Sequence, residues 1–217
     1  MITKEKILES ARKTIDSESK SIAKLIDFLD DDFVAVAQLI YELKGRLVVT
    51  GIGKSAIIAQ KIVASLNSTG TPSLFLHASE AIHGDLGMVQ KDDAVICISK
   101  SGNSPEIKIL IPLLKNFGNQ LIAITGNPTS FLGKEAHFVL NTYVASESCP
   151  NNLAPTDSTT AQLVMGDALA VCLMEMRDFK PEDFAKYHPG GSLGKKLLLR
   201  VKDMLDTTHK PMVTPDA

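Results

Sequence analysis

Tryptophan is absent from the 217-residue sequence, cysteine is scarce, and neither sign of charge is in clear excess. The three cysteines, Cys97, Cys149 and Cys172, are far apart and form no CxxC pair, which argues against a disulfide framework or a zinc knuckle and favours a reducing compartment. The 23 Lys and Arg residues against 25 Asp and Glu residues leave a net charge of −2. This balance provides no basic excess to neutralise a run of phosphates, so we expect no nucleic-acid partner.

A targeting segment and a long apolar run are also missing. Charged residues begin at Lys4 and recur every few positions, so the N-terminal region has no signal-peptide core. The most apolar stretch, residues 161–176, contains Asp167 and Glu175 and is too short to cross a bilayer. We therefore expect a cytoplasmic protein that does not associate with membranes.

Short aliphatic runs alternate with stretches of helical periodicity over most of the chain. These runs are too apolar for strands with one wet face, so they indicate a parallel sheet that helices cover on both sides. The predicted fold class is α/β, a three-layer α/β/α sandwich of the flavodoxin or Rossmann-like type with a five-stranded parallel sheet. The predicted strands are residues 46–50, 73–76, 94–99, 120–125 and 137–140.

Helical patterns outside this alternation predict contacts between subunits. Residues 3–29 carry a narrow apolar stripe among many charges, which is typical of a helix that lies against a partner surface. A second helix over residues 33–43 is expected to end with Gly45 in the C-terminal capping position. Residues 159–177 are apolar around most of the helix, which predicts burial in the centre or at an interface. We expect a homo-oligomer with residues 1–34 in its contact.

The first predicted strand is followed by the loop Thr-Gly-Ile-Gly-Lys-Ser-Ala at residues 50–56. A Walker A loop would need glycine at the position of Val48, so a nucleotide triphosphatase is excluded. A dinucleotide site would need an acidic residue about 20 positions further on, and residues 71–76 contain none. A plain tight turn would not explain Lys54 within the loop.

The third predicted strand leads into a serine-rich loop at residues 99–106. Ser104 and Pro105 are typical of the N-cap and first position of a helix. Hydroxyls and free amides converge there at the positive end of a helix dipole, which suits one phosphate monoester, although a capping turn would use the same residues. Glu106 is either a first-turn carboxylate that favours the helix dipole or a general base beside the phosphate loop.

Three further loops carry polar candidates among Pro and Gly residues. Residues 78–88 contain His83, residues 145–160 contain Glu147, and residues 187–194 contain His188. A histidine taken alone is more often structural or solvated than catalytic, yet this density of loops indicates function.

Together, the motifs in these loops resemble the sugar isomerase (SIS) domain of D-arabinose 5-phosphate isomerases. The similarity runs from about residue 35 to residue 200. It implies interconversion of D-ribulose 5-phosphate and D-arabinose 5-phosphate, without a metal or organic cofactor, for the synthesis of Kdo in lipopolysaccharide or capsule. The motifs, in order, are GIGKS, HGDLGM, SKSGNSxE, CPNNLAPTxSTT and HPGGxLG.

The resemblance implies four catalytic positions, Lys54, Glu106, Glu147 and His188. Either glutamate has a carboxylate that could take the proton next to the substrate carbonyl, and Lys54 or a histidine could stabilise the enediolate oxygen. His188 or His83 could move protons between oxygens. The expected substrate-binding residues are Ser55, Gly70, Thr71, His83, Ser99, Ser101 and Ser104, with the four serines on the phosphate.

His77 follows the second predicted strand and could bind a divalent metal together with His83. Two histidines without an acidic partner make a weak site, so we expect such binding to be incidental or inhibitory.

The expected domain is residues 1–200, and residues 201–217 resemble the entry into a cystathionine-β-synthase (CBS) domain, either a linker or a truncated start. Many members of the family continue into two CBS domains. We expect a homotetramer, activity without residues 201–217, and, as a hypothesis, feedback binding of CMP-Kdo in the active-site cleft. The alternatives are an isomerase of another phosphosugar and a sugar-phosphate sensor without turnover.

Overall fold

The computed structural model describes residues 2–198, and the last 17 residues considered above lie outside them. The chain forms one parallel sheet in the order β2-β1-β3-β4-β5, which confirms the predicted fold class. No helix within residues 2–198 has the length and apolar character needed to cross a membrane. The strands are β1 (Leu47–Gly51), β2 (Ser73–His77), β3 (Ala94–Ser99), β4 (Gln120–Thr125) and β5 (Phe138–Asn141).

Helices precede, connect and follow the strands. Two short 3₁₀ turns, Leu25–Phe28 and Asp85–Met88, lie between them. The helices are α1 (Lys4–Lys24), α2 (Asp31–Glu42), α3 (Lys54–Ser68), α4 (Ala78–Ala81), α5 (Pro105–Asn116), α6 (Phe131–Glu135), α7 (Asp157–Met176), α8 (Pro181–Tyr187) and α9 (Ser192–Leu198).

Two hydrophobic cores lie on opposite faces of the sheet. Successive side chains of β1 point to opposite faces, so Leu47 and Val49 enter the core formed with α2, α3 and α7, whereas Val48 enters the core formed with α4, α5 and α6. Every residue of β1 and β3 is buried. Each fully buried aliphatic side chain contributes roughly 1.5–3 kcal/mol, so this two-sided burial stabilises the three layers.

The end of α2 differs from the prediction. The helix ends at Glu42, and Leu43 continues in an extended conformation with φ −61° and ψ 127°, so the expected cap at Gly45 was wrong. Gly45 has another structural role, because a Cβ there would lie 2.1 Å from the carbonyl oxygen of Asp92. The glycine therefore allows two backbone segments to approach each other.

The N-terminal helix leaves apolar surface exposed. No residue of α1 within the described part of the chain is buried, and Ile7 and Ile15 are 59% and 70% exposed. A groove lined by Ile22, Ile26, Val164 and other apolar residues lies between this region and α7. The burial predicted for α7 is confirmed on the side that faces the core, where Met165, Leu169 and Leu173 lie.

Candidate active site

A pocket of about 270 Å³ lies where the loops after β1 and β3 meet the beginning of α7. In the strand order observed, the chain leaves β1 and β3 toward opposite edges of the sheet, and the crevice between them is where such folds bind ligands. Both loops are at the carboxyl ends of their strands. Five residues predicted from the sequence line this pocket, namely Lys54, Ser55, Ser99, Ser101 and Ser104.

The turn between β1 and α3 depends on two glycines. Gly53 has φ +58°, which glycine adopts without strain, and it precedes the first residue of α3. A Cβ at Gly51 would lie 3.1 Å from the backbone of Ser55, so this glycine allows the helix to start close to the strand. Lys54 is thereby exposed at the pocket, and Ser55 Oγ donates to Gln162 Oε1 over 3.2 Å.

The loop between β3 and α5 is also held by its own backbone. Gly102 has φ +64° and donates its N–H to Ser99 Oγ over 3.1 Å. Ser104 is the N-cap of α5, and Pro105 is the first helical residue, as predicted. However, the Ser104 hydroxyl accepts no capping hydrogen bond, so it remains available at the pocket. Asn103, which the sequence did not single out, fixes the loop by accepting from Phe131 N over 3.1 Å.

Glu147 lies beside the pocket but does not line it. Its carboxylate is fully buried and accepts five hydrogen bonds within the described part of the chain. The donors are Lys100 Nζ, both the hydroxyl and the N–H of Ser158, and both the hydroxyl and the N–H of Thr156. Burial alone would raise the pKa of Glu147, but the bonds from Lys100, Ser158 and Thr156 outweigh it and lower this pKa to about 2.

Lys100 is a pocket residue that sequence reasoning missed. Its Nζ lies 2.5 Å from Glu147 Oε1, and its side chain is 46% exposed. The residue stands in the quoted serine-rich motif directly after β3, which was the available signal. The motif drew attention to hydroxyls, and nothing in the sequence places Lys100 against Glu147, 47 positions away.

Glu106 is the second residue of α5 and is partly exposed. It follows Ser104, which lines the pocket, by two positions, whereas Glu106 itself does not line it. The two candidate bases therefore differ: the carboxylate of Glu147 is buried and fully hydrogen-bonded, whereas Glu106 is partly exposed.

A second buried carboxylate, Asp157, joins α1 to the loop that carries Glu147. Its Oδ1 accepts from the hydroxyls of Ser17 and Ser21 over 2.7 and 2.9 Å, and its Oδ2 accepts from Ser148 N over 2.8 Å. Burial raises the pKa of Asp157, but these and other hydroxyl donors outweigh it and lower the pKa to about 2. The N-terminal helix thus contacts a carboxylate that also binds the residue next to Glu147.

His188 lies at the other end of the fold. Its neighbour Tyr187 lies beside Gly70. Gly70 follows the last residue of α3 by two positions, whereas Lys54 is the first residue of α3. A helix of 15 residues is about 22 Å long, so one chain does not bring His188, Gly70 and Thr71 to the pocket. Thr71 is buried and accepts a hydrogen bond from the guanidinium of Arg177.

The His188 ring is held in one orientation. It stacks on Phe184 with ring centroids 3.8 Å apart, and its Nδ1 lies 2.9 Å from the Phe184 carbonyl oxygen. A carbonyl accepts only, so Nδ1 is the donor in this contact, and Nε2 is left for another partner.

The other two histidines considered above lie outside the pocket lining. His77 ends β2 with a buried Nδ1 that has no hydrogen-bond partner among residues 2–198, and His83 is exposed after α4. Within the described residues no group of three or more His, Cys, Asp or Glu side chains could hold a metal ion. Metal binding at His77 stays a prediction.

Residues 39–172, more than half of the chain, match the family model of the SIS domain. The chain belongs to the SIS domain family. This SIS domain is 52% identical over 198 residues to the arabinose 5-phosphate isomerase KdsD of Pseudomonas aeruginosa, covering 91% of this chain and 61% of that protein. It is 50% identical over 200 residues to the arabinose 5-phosphate isomerase KpsF of Escherichia coli O6:H1, covering 92% and 61%. The chain therefore spans about three fifths of these relatives.

Among solved structures, this SIS domain resembles the c3406 protein of E. coli CFT073 in complex with arabinose 5-phosphate, with a TM-score of 0.83 and 40% identity. The match covers 87% of this chain and 100% of that one. The sugar isomerase domain of the RpiR transcription factor from Sphaerobacter thermophilus has a TM-score of 0.66 at 16% identity, covering 82% and 95%. The latter likeness concerns the fold alone, so the fold does not separate an enzyme from a sensor.

Proposed function

We propose that this SIS domain is an aldose-ketose isomerase that interconverts D-arabinose 5-phosphate and D-ribulose 5-phosphate. The observation that carries the proposal is one pocket in which Lys54 faces the uncapped, serine-rich start of α5. An ammonium and the amides of a helix N-terminus suit the phosphate end of a small sugar. Relatives at about 50% identity named arabinose 5-phosphate isomerases support the choice of substrate.

The phosphate is bound by Ser55, Ser99, Ser101 and Ser104 and by backbone N–H groups of the two loops. Ser104 leaves its hydroxyl free, and Gly53 supplies no capping side chain to α3, so donors at both helix starts are available. Binding at this end holds the reacting carbons in place, which is how remote contacts assist the chemical step.

Glu106 is the base in this proposal. It takes the proton from C2 of the aldose, the O2 hydroxyl proton passes to O1, and the enediolate receives a proton at C1, so that the carbonyl lies at C2. Glu147 is less suited, because protonating a carboxylate that accepts five hydrogen bonds, with a pKa of about 2, would disrupt the contacts to Lys100 and Ser158. Lys54 stabilises the negative oxygen of the enediolate.

His188 reaches the reacting oxygens from a second subunit. Lys54 and the Gly70 region lie at opposite ends of α3, so a site that contains both needs another copy of the chain. Thr71 follows Gly70 in the sequence, so in this proposal it belongs to the same second subunit that contributes His188. The exposed stripe of α1 and the apolar groove beside α7 provide surface for a homo-oligomer, which we propose to be a tetramer.

The proposed activity also implies a biological role. An arabinose 5-phosphate isomerase supplies the precursor of Kdo in lipopolysaccharide or capsule synthesis, a cytoplasmic step. Binding of CMP-Kdo in the cleft stays a prediction, which isothermal titration tests directly. The role of His83 as a substrate contact and the domain boundary at residue 200 also stay predictions.

Incubation with D-arabinose 5-phosphate tests the function. We expect D-ribulose 5-phosphate to form, and other phosphosugars of different chain length to react more slowly. Tight binding of D-arabinose 5-phosphate without any turnover would instead favour the sensor, and faster reaction with another phosphosugar would change the assigned substrate.

A further inference from the structure

Lys100 is a charged residue of the pocket lining to which the proposed function assigns no role. It lines the pocket together with Lys54, and it follows Ser99, the last residue of β3. The loop that carries it is fixed by Gly102 and Asn103. Its position is therefore set by the same turn that presents the phosphate-binding serines.

Lys100 and Ser158 separate Glu147 from the pocket. Both residues line the pocket and both donate to Glu147 Oε1, whereas the Glu147 side chain is 0% exposed. A bound sugar phosphate meets the Lys100 ammonium before it can meet the carboxylate. On this side of the pocket the charged group nearest the substrate is therefore the Lys100 ammonium, and the Glu147 carboxylate lies behind it.

The charges indicate what this cation binds. Among the described residues, Lys100 is the one ion-pair partner of Glu147, and the remaining donors to Glu147 are neutral. No Asp or Glu of the described chain lines the pocket, so its charged side chains are the two lysines. A phosphate monoester carries nearly two negative charges at neutral pH, and one lysine balances only half of that.

We propose that Lys100 is a second substrate-binding cation that contacts the phosphate, and that Glu147 is a positioning residue that holds Lys100 in place. This inference rests on the proposed function for the identity of the sugar, but not for the binding of phosphate. A lysine side chain loses rotamer freedom when it binds a ligand. The contact with Glu147 restricts Lys100 before the ligand arrives, which lowers that cost.

Titration with inorganic phosphate tests the contact without any turnover. We expect Lys100→Met to weaken phosphate binding by about tenfold to a hundredfold, because it removes a charged hydrogen bond. Lys100→Arg should restore most of the binding. Lys91→Met is the matched control: Lys91 is exposed in the turn before β3, at the opposite end of that strand, and its loss removes the same charge. Equal phosphate binding by Lys100→Met and Lys91→Met would overturn the proposal.

Steady-state kinetics test the part assigned to Glu147. Loss of a contact made equally in the ground and transition states raises KM and leaves kcat unchanged, so we expect this pattern for Lys100→Met and, more weakly, for Glu147→Gln. The double variant should be no worse than Lys100→Met, since Glu147 acts through Lys100. A hundredfold loss of kcat in Glu147→Gln at unchanged KM would make Glu147 catalytic and overturn its positioning role.

Two controls separate folding and function from this contact. Thermal unfolding of each variant shows whether it folds, and Lys100→Gln, which keeps a polar side chain, replaces Lys100→Met if the latter unfolds. Phosphate binding that depends on Lys100 in a chain without activity on D-arabinose 5-phosphate would support the contact and defeat only the proposed function.

Discussion

The ammonium of Lys100 lies 2.5 Å from the carboxylate of Glu147, and the lysine, not the glutamate, faces the pocket. A glutamate that the family resemblance places among the catalytic residues is thus covered by a cation and by the hydroxyl of Ser158. This relationship makes Glu106 the better candidate base, because its carboxylate has no such cover among the described residues.

Glu106→Gln should lower kcat by a hundredfold or more, because it removes the proposed base and keeps the shape of the side chain. Phosphate affinity should change little, since the proposal places Glu106 at the reacting carbons and the phosphate on the serines that line the pocket. The kinetic constants and a phosphate titration of the same variant check both points. An unchanged kcat would remove Glu106 from the mechanism.

Acid should destabilise the protein through Glu147. Its pKa is about 2 in the folded chain against an ordinary value of 4.5, so the ionised carboxylate stabilises the fold above pH 4.5, and this stabilisation is lost as the pH falls toward 2. Glu147→Gln should therefore flatten the dependence of the unfolding free energy on pH in this window. The pKa of Asp157 is also lowered to about 2, so some dependence of the unfolding free energy on pH remains in that variant. An identical slope with and without Glu147 would contradict the assigned pKa.

The contact between α1 and Asp157 should contribute to stability. Replacing both Ser17 and Ser21 by alanine removes two donors to a buried carboxylate, which should cost about 1–3 kcal/mol. Urea unfolding measures the loss, and Ser10→Ala, at an exposed position of the same helix, is the control. Equal stability of the double variant and the control would show that α1 does not anchor this loop.

A shared site should allow inactive variants to complement each other. In the proposed shared site Glu106 and His188 come from different subunits, so a mixed oligomer of Glu106→Gln and His188→Ala contains some sites with both native residues. We expect co-expression and purification of mixed oligomers through two tags to recover activity. Mixed oligomers as inactive as either parent would place His188 outside a shared site.

The sheet and its order of layers were predictable, because continuous apolar runs alternating with helical periods arise only when both faces of a parallel sheet are covered. The end of α2 was not predictable from Gly45. Because Gly45 has no side chain, its backbone can lie against the backbone of Asp92. Asp92 is distant in the sequence, so this contact leaves no local sequence pattern.

The candidate site was predictable where the chemistry is local. Lys54 and Ser104 stand at the helix starts that follow β1 and β3, so the topology alone places them in the crevice. Lys100 was missed because its significance depends on Glu147, which a separate loop brings to it. The separation of Lys54 from Tyr187 also depends on tertiary structure, because only the folded chain places Tyr187 at the end of α3 opposite Lys54.

The most direct test of the proposed isomerisation is the reaction of D-arabinose 5-phosphate in D₂O, followed by NMR. Proton transfer through an enediolate lets the base exchange its proton with solvent, so we expect D-ribulose 5-phosphate that carries deuterium at C1. Glu106→Gln should bind the substrate and form this product at least about a hundredfold more slowly. Wild-type protein that binds D-arabinose 5-phosphate yet yields neither ribulose 5-phosphate nor deuterated sugar would contradict the assignment.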